Sequence, residues 1–433
     1  MKSLIRNKWL SVLVAGVTAG GLIGGVTSVP AASAGTAPVT IQYWTNDTNP
    51  VEAQIVSSFE KAYPNITVKL TQYQTDTYLA ALATGASNRS LPDVFFEGLG
   101  DTLAHEYEDA GLIMNLTPYA VQGDWAKKFS PLAIKLLTYK NKWWEEPLYN
   151  IGMGIWYRKD IFTKLHIGVP TTFAQFTTDL GIIKKAGYTP ISLGGQDYWM
   201  PMRFFDGLLQ YYGKNSFYTA LADRKVSWDS PQVIQAFTTL HQWTVDDYFT
   251  PGFMSINPNN DYIPWFQGSA TMVLEGPWED ATINSNKQAM ADYGFFPFPA
   301  DESPNLLSTF SQGIMIAANT KHVQAALTFV NYYDGKTNLT QFASTLTQPD
   351  ALLSVSPPAS LPHAQAIAAL INKEGVGYLP TDQILPQPLV NSFSKAQAGV
   401  ITGTMTPTAA AQFLASAVAG YKGAWPWGNQ PVP

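Results

Sequence analysis

The amino-acid sequence predicts an α/β fold, a sheet flanked by helices, on three observations. Val39-Thr40-Ile41-Gln42-Tyr43-Trp44 alternates like a strand. A helical pattern and a second alternating run, Ile66, Val68 and Leu70, follow it as a β-α-β start. Strands and helices go on alternating past residue 300 with no Gly/Ser- or Pro-rich linker between them, so domains, if there are two, must be interwoven. With 433 residues, 46% of them hydrophobic, the chain can bury a large core and fill two or more domains.

The elements read as follows. Lys2, Arg6 and Lys8 precede an apolar stretch from Trp9 to Val26, and Ala32-Ser33-Ala34 fits a small-residue cleavage site, so residues 1 to 34 are expected to be a cleavable export signal. A membrane anchor is the alternative, but the stretch is short and broken by five glycines. The mature protein is therefore expected to be extracytoplasmic. After the first strand, Thr45 to Asn49 is a polar loop. A helix then opens with Asn49 as cap, Pro50 at its first position and Glu52 completing an Asn-x-x-Glu pattern. Ile55, Phe59 and Tyr63 share its buried face, and Pro64-Asn65 stops it. A helix around Tyr78 to Thr84 leads to a short buried strand, Leu91 to Phe96, which empties into Glu97-Gly98-Leu99-Gly100-Asp101. Thr172-Phe173-Ala174-Gln175 is a capping box opening a helix that buries Phe173, Phe176, Leu180 and Ile183. Ligand-binding loops belong at the carboxyl ends of such strands.

Composition excludes several functions. A net charge of −6, from 26 Lys+Arg against 32 Asp+Glu, argues against nucleic acid or anionic membrane as partner. With no cysteine there are no disulfides, thiolate metal sites or lipid attachment through an N-terminal cysteine. Only 13% of residues are charged, about half the usual share of roughly 25%; an acidic working medium would account for that. His105-Glu106-Tyr107-Glu108-Asp109 has no spaced second histidine and reads as a solvated acidic helix face, not a metal cluster. Glu145-Glu146 and Glu275/Glu279 meet the minimal requirement for a glycosidase pair, two carboxylates. No Walker A loop, GxSxG elbow, HExxH helix or full GxGxxG is present. No catalytic residue, metal or cofactor is expected.

Further segments recur in a familiar order: Phe59-Glu60-Lys61-Ala62-Tyr63-Pro64-Asn65-Ile66-Thr67-Val68, Leu91-Pro92-Asp93-Val94, and Ala110-Gly111-Leu112-Ile113-Met114-Asn115-Leu116. Trp156-Tyr157-Arg158-Lys159-Asp160, Val169-Pro170-Thr171-Thr172-Phe173 and Phe266-Gln267-Gly268-Ser269-Ala270 through Glu275-Gly276-Pro277-Trp278 continue it. Gly313-Ile314-Met315-Ile316-Ala317 and a helix from Ala325 to Tyr333 close it. Over almost the whole mature chain this order resembles the extracellular solute-binding proteins of carbohydrate ABC transporters, the group that includes maltodextrin-binding proteins. The resemblance implies a two-lobed, type II-like periplasmic-binding-protein fold with an interlobe cleft and a three-stranded hinge. On that analogy residues 35 to 148 plus 311 to 348 form the first lobe and 149 to 310 plus 349 to 433 the second. Two departures stand out: the lipidated cysteine usual in Gram-positive relatives is missing, and Arg158 replaces a common Asn.

A sugar offers apolar C–H faces ringed by hydroxyls, so its receptor needs flat aromatic platforms and short polar side chains. The chain has 13 Trp and 21 Tyr. Trp199, beside Tyr198, matches the place where the resemblance puts second-lobe aromatics, and Trp278 follows the most telling segment; packing tryptophans are the competing reading of both. Asn46, Asp47 and Thr48 after the first strand, and Glu97 and Asp101 after the third, are candidates for hydroxyl contacts or, alternatively, plain solvation and helix capping. Trp44 is either cleft wall or core. Asn150, Arg203, Glu275 and Gln312 fall at expected hinge and cleft segments.

The expected function is a non-enzymatic, monomeric receptor that captures a mono- or oligosaccharide by hinge closure and hands it to the permease subunits of an ABC importer. The alternatives are a secreted polysaccharide-active enzyme with Trp-lined subsites and a sensor's ligand-presenting partner.

Overall fold

The computed structural model describes residues 37–96, 101–342, 350–374, 377–423 and 425. The expected export signal and Glu97 lie outside the described residues. The described residues form ten strands: β1 Val39–Thr45, β2 Ile66–Gln72, β3 Val94–Phe96, β4 Thr138–Tyr139, β5 Lys142–Trp143, β6 Glu146–Arg158, β7 Thr189–Ser192, β8 Ala270–Glu275, β9 Tyr293–Phe296 and β10 Ser308–Ile316. β4 and β5 make a separate hairpin; the others join in the order β2-β1-β3-β10-β6-β8-β7, with β9 also on β6.

The β-α-β start forms as expected, with β1 parallel to both β2 and β3. Its helix, Val51–Ala62, begins one residue later than the capping pattern suggests. Pro50 is the N-cap, and Asn49 Oδ1 accepts the Val51 N–H at 3.0 Å. Glu52 does not reach back to the cap. It is buried, its carboxyl taking the Tyr333 hydroxyl, because Ile55, Phe59 and Glu52 all fall on the face that packs on the sheet. The capping box at Thr172 opens the helix Phe173–Lys185: Thr172 Oγ1 accepts from Gln175 N at 3.2 Å, while Gln175 Oε1 takes the Thr171 N–H at 2.9 Å.

β6 positions the site. Its 13 residues change partners halfway: Glu146 to Met153 pair antiparallel with β10, Gly154 to Arg158 with β8 and β9. Beside it Ala351 donates to Leu148 O, and Ser130 N to Ala351 O, each at 2.9 Å, so the chain near residue 350 is a third segment at this crossing. Asn150 sits in the middle of it, donating to Ser130 Oγ at 2.6 Å and accepting from Ser311 Oγ at 2.7 Å. Arg158 ends β6 by gripping Asp160 and the carbonyls of Trp265 and Phe266, a structural task.

The acidic helix is not the solvated face its sequence suggests. Within Asp101–Asp109, His105 is buried and stacks on Tyr139 at 3.9 Å, while Glu108 and Asp109 together hold Lys140. Glu106 accepts from Gln387 N at 3.1 Å. Among the described residues no group of three or more His, Asp or Glu is placed to hold a metal ion, and no helix is long and apolar enough to cross a membrane.

Candidate functional site

A cavity of about 1470 Å³ opens where the loop after β1, the end of β3, the middle of β6 and β10, and the C-terminal helices meet. From the first part of the chain, Asn46, Asp47, Thr48, Gln74 and Phe96 reach it. The β1 loop is set by its own short side chains: Asp47 N donates to Thr45 Oγ1 at 3.0 Å, Asn49 N to Asp47 Oδ1 at 2.8 Å, and Gln72 Nε2 to Asp47 O at 2.9 Å. Burial raises the Asp47 carboxyl above its usual range.

The floor comes from the strand crossing. Ile151, Phe310 and Gln312 line it, and the β10 register slips between Gln312 and Gly313, a bulge of the kind that re-aims a side chain next to a site.

The opposite wall carries the aromatics. Tyr198 takes a left-handed backbone, φ +62°, immediately before the helix Trp199–Ala222, which turns both Tyr198 and Trp199 toward the cavity. One turn further on, Arg203 is buried with its guanidinium forked onto Asp382, at 3.1 and 2.8 Å, and 3.6 Å from Asp206. Its Cζ stands 5.7 Å from the ring centres of both Trp199 and Phe310. Burial works against its charge, but Asp382 and Asp206 outweigh that and hold Arg203 protonated. Burial also pushes Asp206 up to about 7 despite the Arg203 charge.

Trp278 is fixed from below. Its Nε1 donates to Glu275 Oε2 at 2.7 Å, and its ring folds back over Gly276, where an added Cβ would fall 2.3 Å from Trp278 Cζ3. Glu275, Glu279 and Asp261 crowd together, all nearly inaccessible to solvent. Burial, and then their mutual repulsion, raises Glu275 and Glu279 well above the carboxylate range, and burial lifts Asp261 to about 8. Glu275 and Glu279 reach the cavity, so burial and mutual repulsion disfavour negative charge on its wall there.

Of the residues singled out from sequence, Asn46, Asp47, Thr48, Tyr198, Trp199, Arg203, Glu275, Trp278 and Gln312 are brought together around this one cavity. Two are not. Trp44 turns to the other face of β1 and packs on Tyr73 at 5.4 Å, since neighbouring residues of a strand face opposite ways. Asn150 is consumed by the hydrogen bonds of the strand crossing. Asp101 opens its helix, and its side chain lies outside the described residues. Sequence reasoning missed Phe96, Phe310, Tyr262, the Asn257 to Asn260 loop, Asp382 and one face of the helix Gln387–Ile401. The paired carboxylates Glu145 and Glu146 lie away from this cavity, Glu146 lining a smaller one of about 380 Å³ behind the crossing.

Residues 40–337 match the family model of the bacterial extracellular solute-binding proteins. A probable sugar-binding periplasmic protein of Mesorhizobium japonicum is 25% identical over 229 residues, which is 51% of this chain and 54% of that one. The chain thus spans about half the length of that relative. The multiple sugar-binding protein of Streptococcus mutans is 24% identical over 310 residues, 68% of this chain and 70% of its own. Among solved structures, a chitin oligosaccharide binding protein superposes with a TM-score of 0.78 at 19% identity, covering 88% of this chain and 98% of its own. That likeness establishes the fold as the two-lobed one. With its fold, its strand crossing and its match over most of the chain, this protein belongs to the bacterial extracellular solute-binding protein family.

Proposed function

We propose that the protein is an extracytoplasmic carbohydrate receptor that delivers its ligand to the permease subunits of an ABC importer. The observation carrying this reading is the cavity wall: two tryptophans, each pinned by a carboxylate or a cation, face loops rich in amides and carboxyls. Ring stacking and directed hydrogen bonds are what a pyranose requires. Relatives named as sugar-binding proteins support it.

In this reading the lobes are residues 35 to 148 plus 311 to 348 and residues 149 to 310 plus 349 to 433, and the protein works as a monomer. Closure about β6 and β10 brings the Asn46 to Thr48 loop toward Trp199 and Trp278. Contacts made only in the closed form shift the hinge equilibrium, and the permease responds to that form.

The protein does not act as an enzyme. Glu275 is tied to Trp278 by a hydrogen bond, and Glu279 and Asp261 are packed with it out of solvent, where burial disfavours the ionised carboxylate that a retaining glycosidase needs as nucleophile.

Thermal unfolding against a panel of mono-, di- and oligosaccharides tests the reading, because a ligand that binds only the folded state raises the midpoint by mass action. A saturable shift with one sugar class, diminished in Trp278→Ala, is the expected result. Reducing-sugar release from a polysaccharide panel would instead establish an enzyme, and no shift with any sugar would transfer the site to another solute.

A further inference from the structure

One face of the C-terminal helix Gln387–Ile401 lines the cavity along its whole length. Gln387, Asn391, Ser394 and Ala398 recur at helical spacing, and Thr402 continues the row. At 1.5 Å per residue the row is about 22 Å long. It lies on one rigid element, so that length does not depend on the angle between the lobes. The cavity of about 1470 Å³ also exceeds the roughly 300–1,000 Å³ of ordinary small-molecule sites. A single sugar ring on the tryptophan platforms would leave most of this row uncovered.

Apart from Ala398 the row carries amides and hydroxyls. Ser394 donates to Val390 O at 3.0 Å and Thr402 to Ala398 O at 2.8 Å, which orients both hydroxyl oxygens as acceptors. Asn391 Oδ1 takes Gln387 Nε2 at 3.3 Å, leaving the Asn391 amide nitrogen as a donor. Lys395, beside the row, also lines the cavity, and its ammonium stands 5.4 Å from the centre of the Phe413 ring. The helix is fixed to the Tyr198 loop by Gln397 Nε2 donating to Tyr198 O at 2.8 Å.

We infer that this helix face is a second arm of the binding site, and that the ligand is an uncharged oligosaccharide whose rings beyond the tryptophan platforms lie along Gln387, Asn391, Ser394 and Thr402. The inference rests on the carbohydrate reading above. Short amides and hydroxyls on a straight helix meet the hydroxyl edges of successive rings, whereas an anionic chain would need a run of cations, and Lys395 is the single cation among the residues of this helix that line the cavity.

Calorimetric titration of the protein with homologous series tests it: glucose to maltohexaose, xylose to xylohexaose, and N-acetylglucosamine to its hexamer. In the series that binds, Kd is expected to fall at least about tenfold from disaccharide to tetrasaccharide. Asn391→Ala and Ala398→Tyr should each flatten that dependence on length, with unliganded unfolding midpoints showing that the variants fold. Equal affinity for one ring and for four overturns the arm, as does a length dependence that both variants leave untouched. Absence of binding in every series sinks the carbohydrate reading itself, and the arm with it.

Discussion

Replacing Glu52 by Gln should make the protein more stable at neutral pH. Glu52 is 1% exposed and accepts the Tyr333 hydroxyl. Burial, and then the neighbouring Asp47, pushes its carboxyl from 4.5 up to about 8. The folded protein thus keeps a proton that the unfolded chain has released. For a carboxyl raised in this way, the stabilising contribution is full below about pH 4.5 and is lost as pH rises through about 8. Integrated from pH 4.5 to 7, the loss is about 3 kcal/mol. Gln has nearly the same shape, still accepts from Tyr333, and never ionises. Denaturant unfolding of both proteins at several pH values between 4.5 and 8 should therefore show curves that lie together at the acid end and separate to about 3 kcal/mol at pH 7. A variant with the same pH slope as the parent, or one less stable at pH 7, would refute the placement of a buried proton on Glu52.

Three other substitutions probe the site and its surroundings. Gly276→Ala forces the Trp278 ring off its seat, so sugar affinity measured by calorimetry should drop at least about tenfold while the unfolding midpoint changes little. Arg203→Met strips Asp382 of its forked cation and should cost about 3 to 5 kcal/mol at pH 7.5; at pH 5, where Asp206 is protonated in parent and variant alike, only the small share owed to Asp206 should be recovered. Trp44→Ala should destabilise by about 3 kcal/mol through lost packing and leave the sugar Kd within about threefold of the parent, because Trp44 packs on Tyr73 and outside the cavity; a large loss of affinity would place it in the binding wall after all.

Much of this architecture was legible in the sequence because its signals are local. The alternation of Val39 to Trp44, the stop at Pro64 and the capping chemistry at Thr172 each depend on residues within one turn or one strand. The order of motifs carried the rest of the fold. What stayed hidden was long-range. In β1 the alternation places Ile41 and Tyr43 in the core and Thr40 and Gln42 in solvent, but it does not show that Trp44, on the second face, packs against Tyr73. Glu52 completed a capping pattern on paper, but its partner Tyr333 lies 281 residues away. Asp382 meets Arg203 across 179 residues, and no motif announces it. The cavity-lining face of Gln387–Ile401 is built of small amides and hydroxyls that read as an ordinary solvated helix surface.

The hydrogen bonds that hold Asn150 between Ser130 and Ser311 tie three separate stretches of chain at one buried point. A door fastened at such a point turns and does not slide, since sliding would strip a buried amide of both partners at once. How far any residue travels then grows with its distance from that pivot. Ile151, Phe310 and Gln312 stand next to it in the strands, so the proposed closure would change their spacing least. In the proposed closure Trp278 and the Asp47 loop would travel further. An arriving solute can therefore be inspected first by a fixed inner shelf, and only a molecule that lodges there is still in place when the outer jaws arrive.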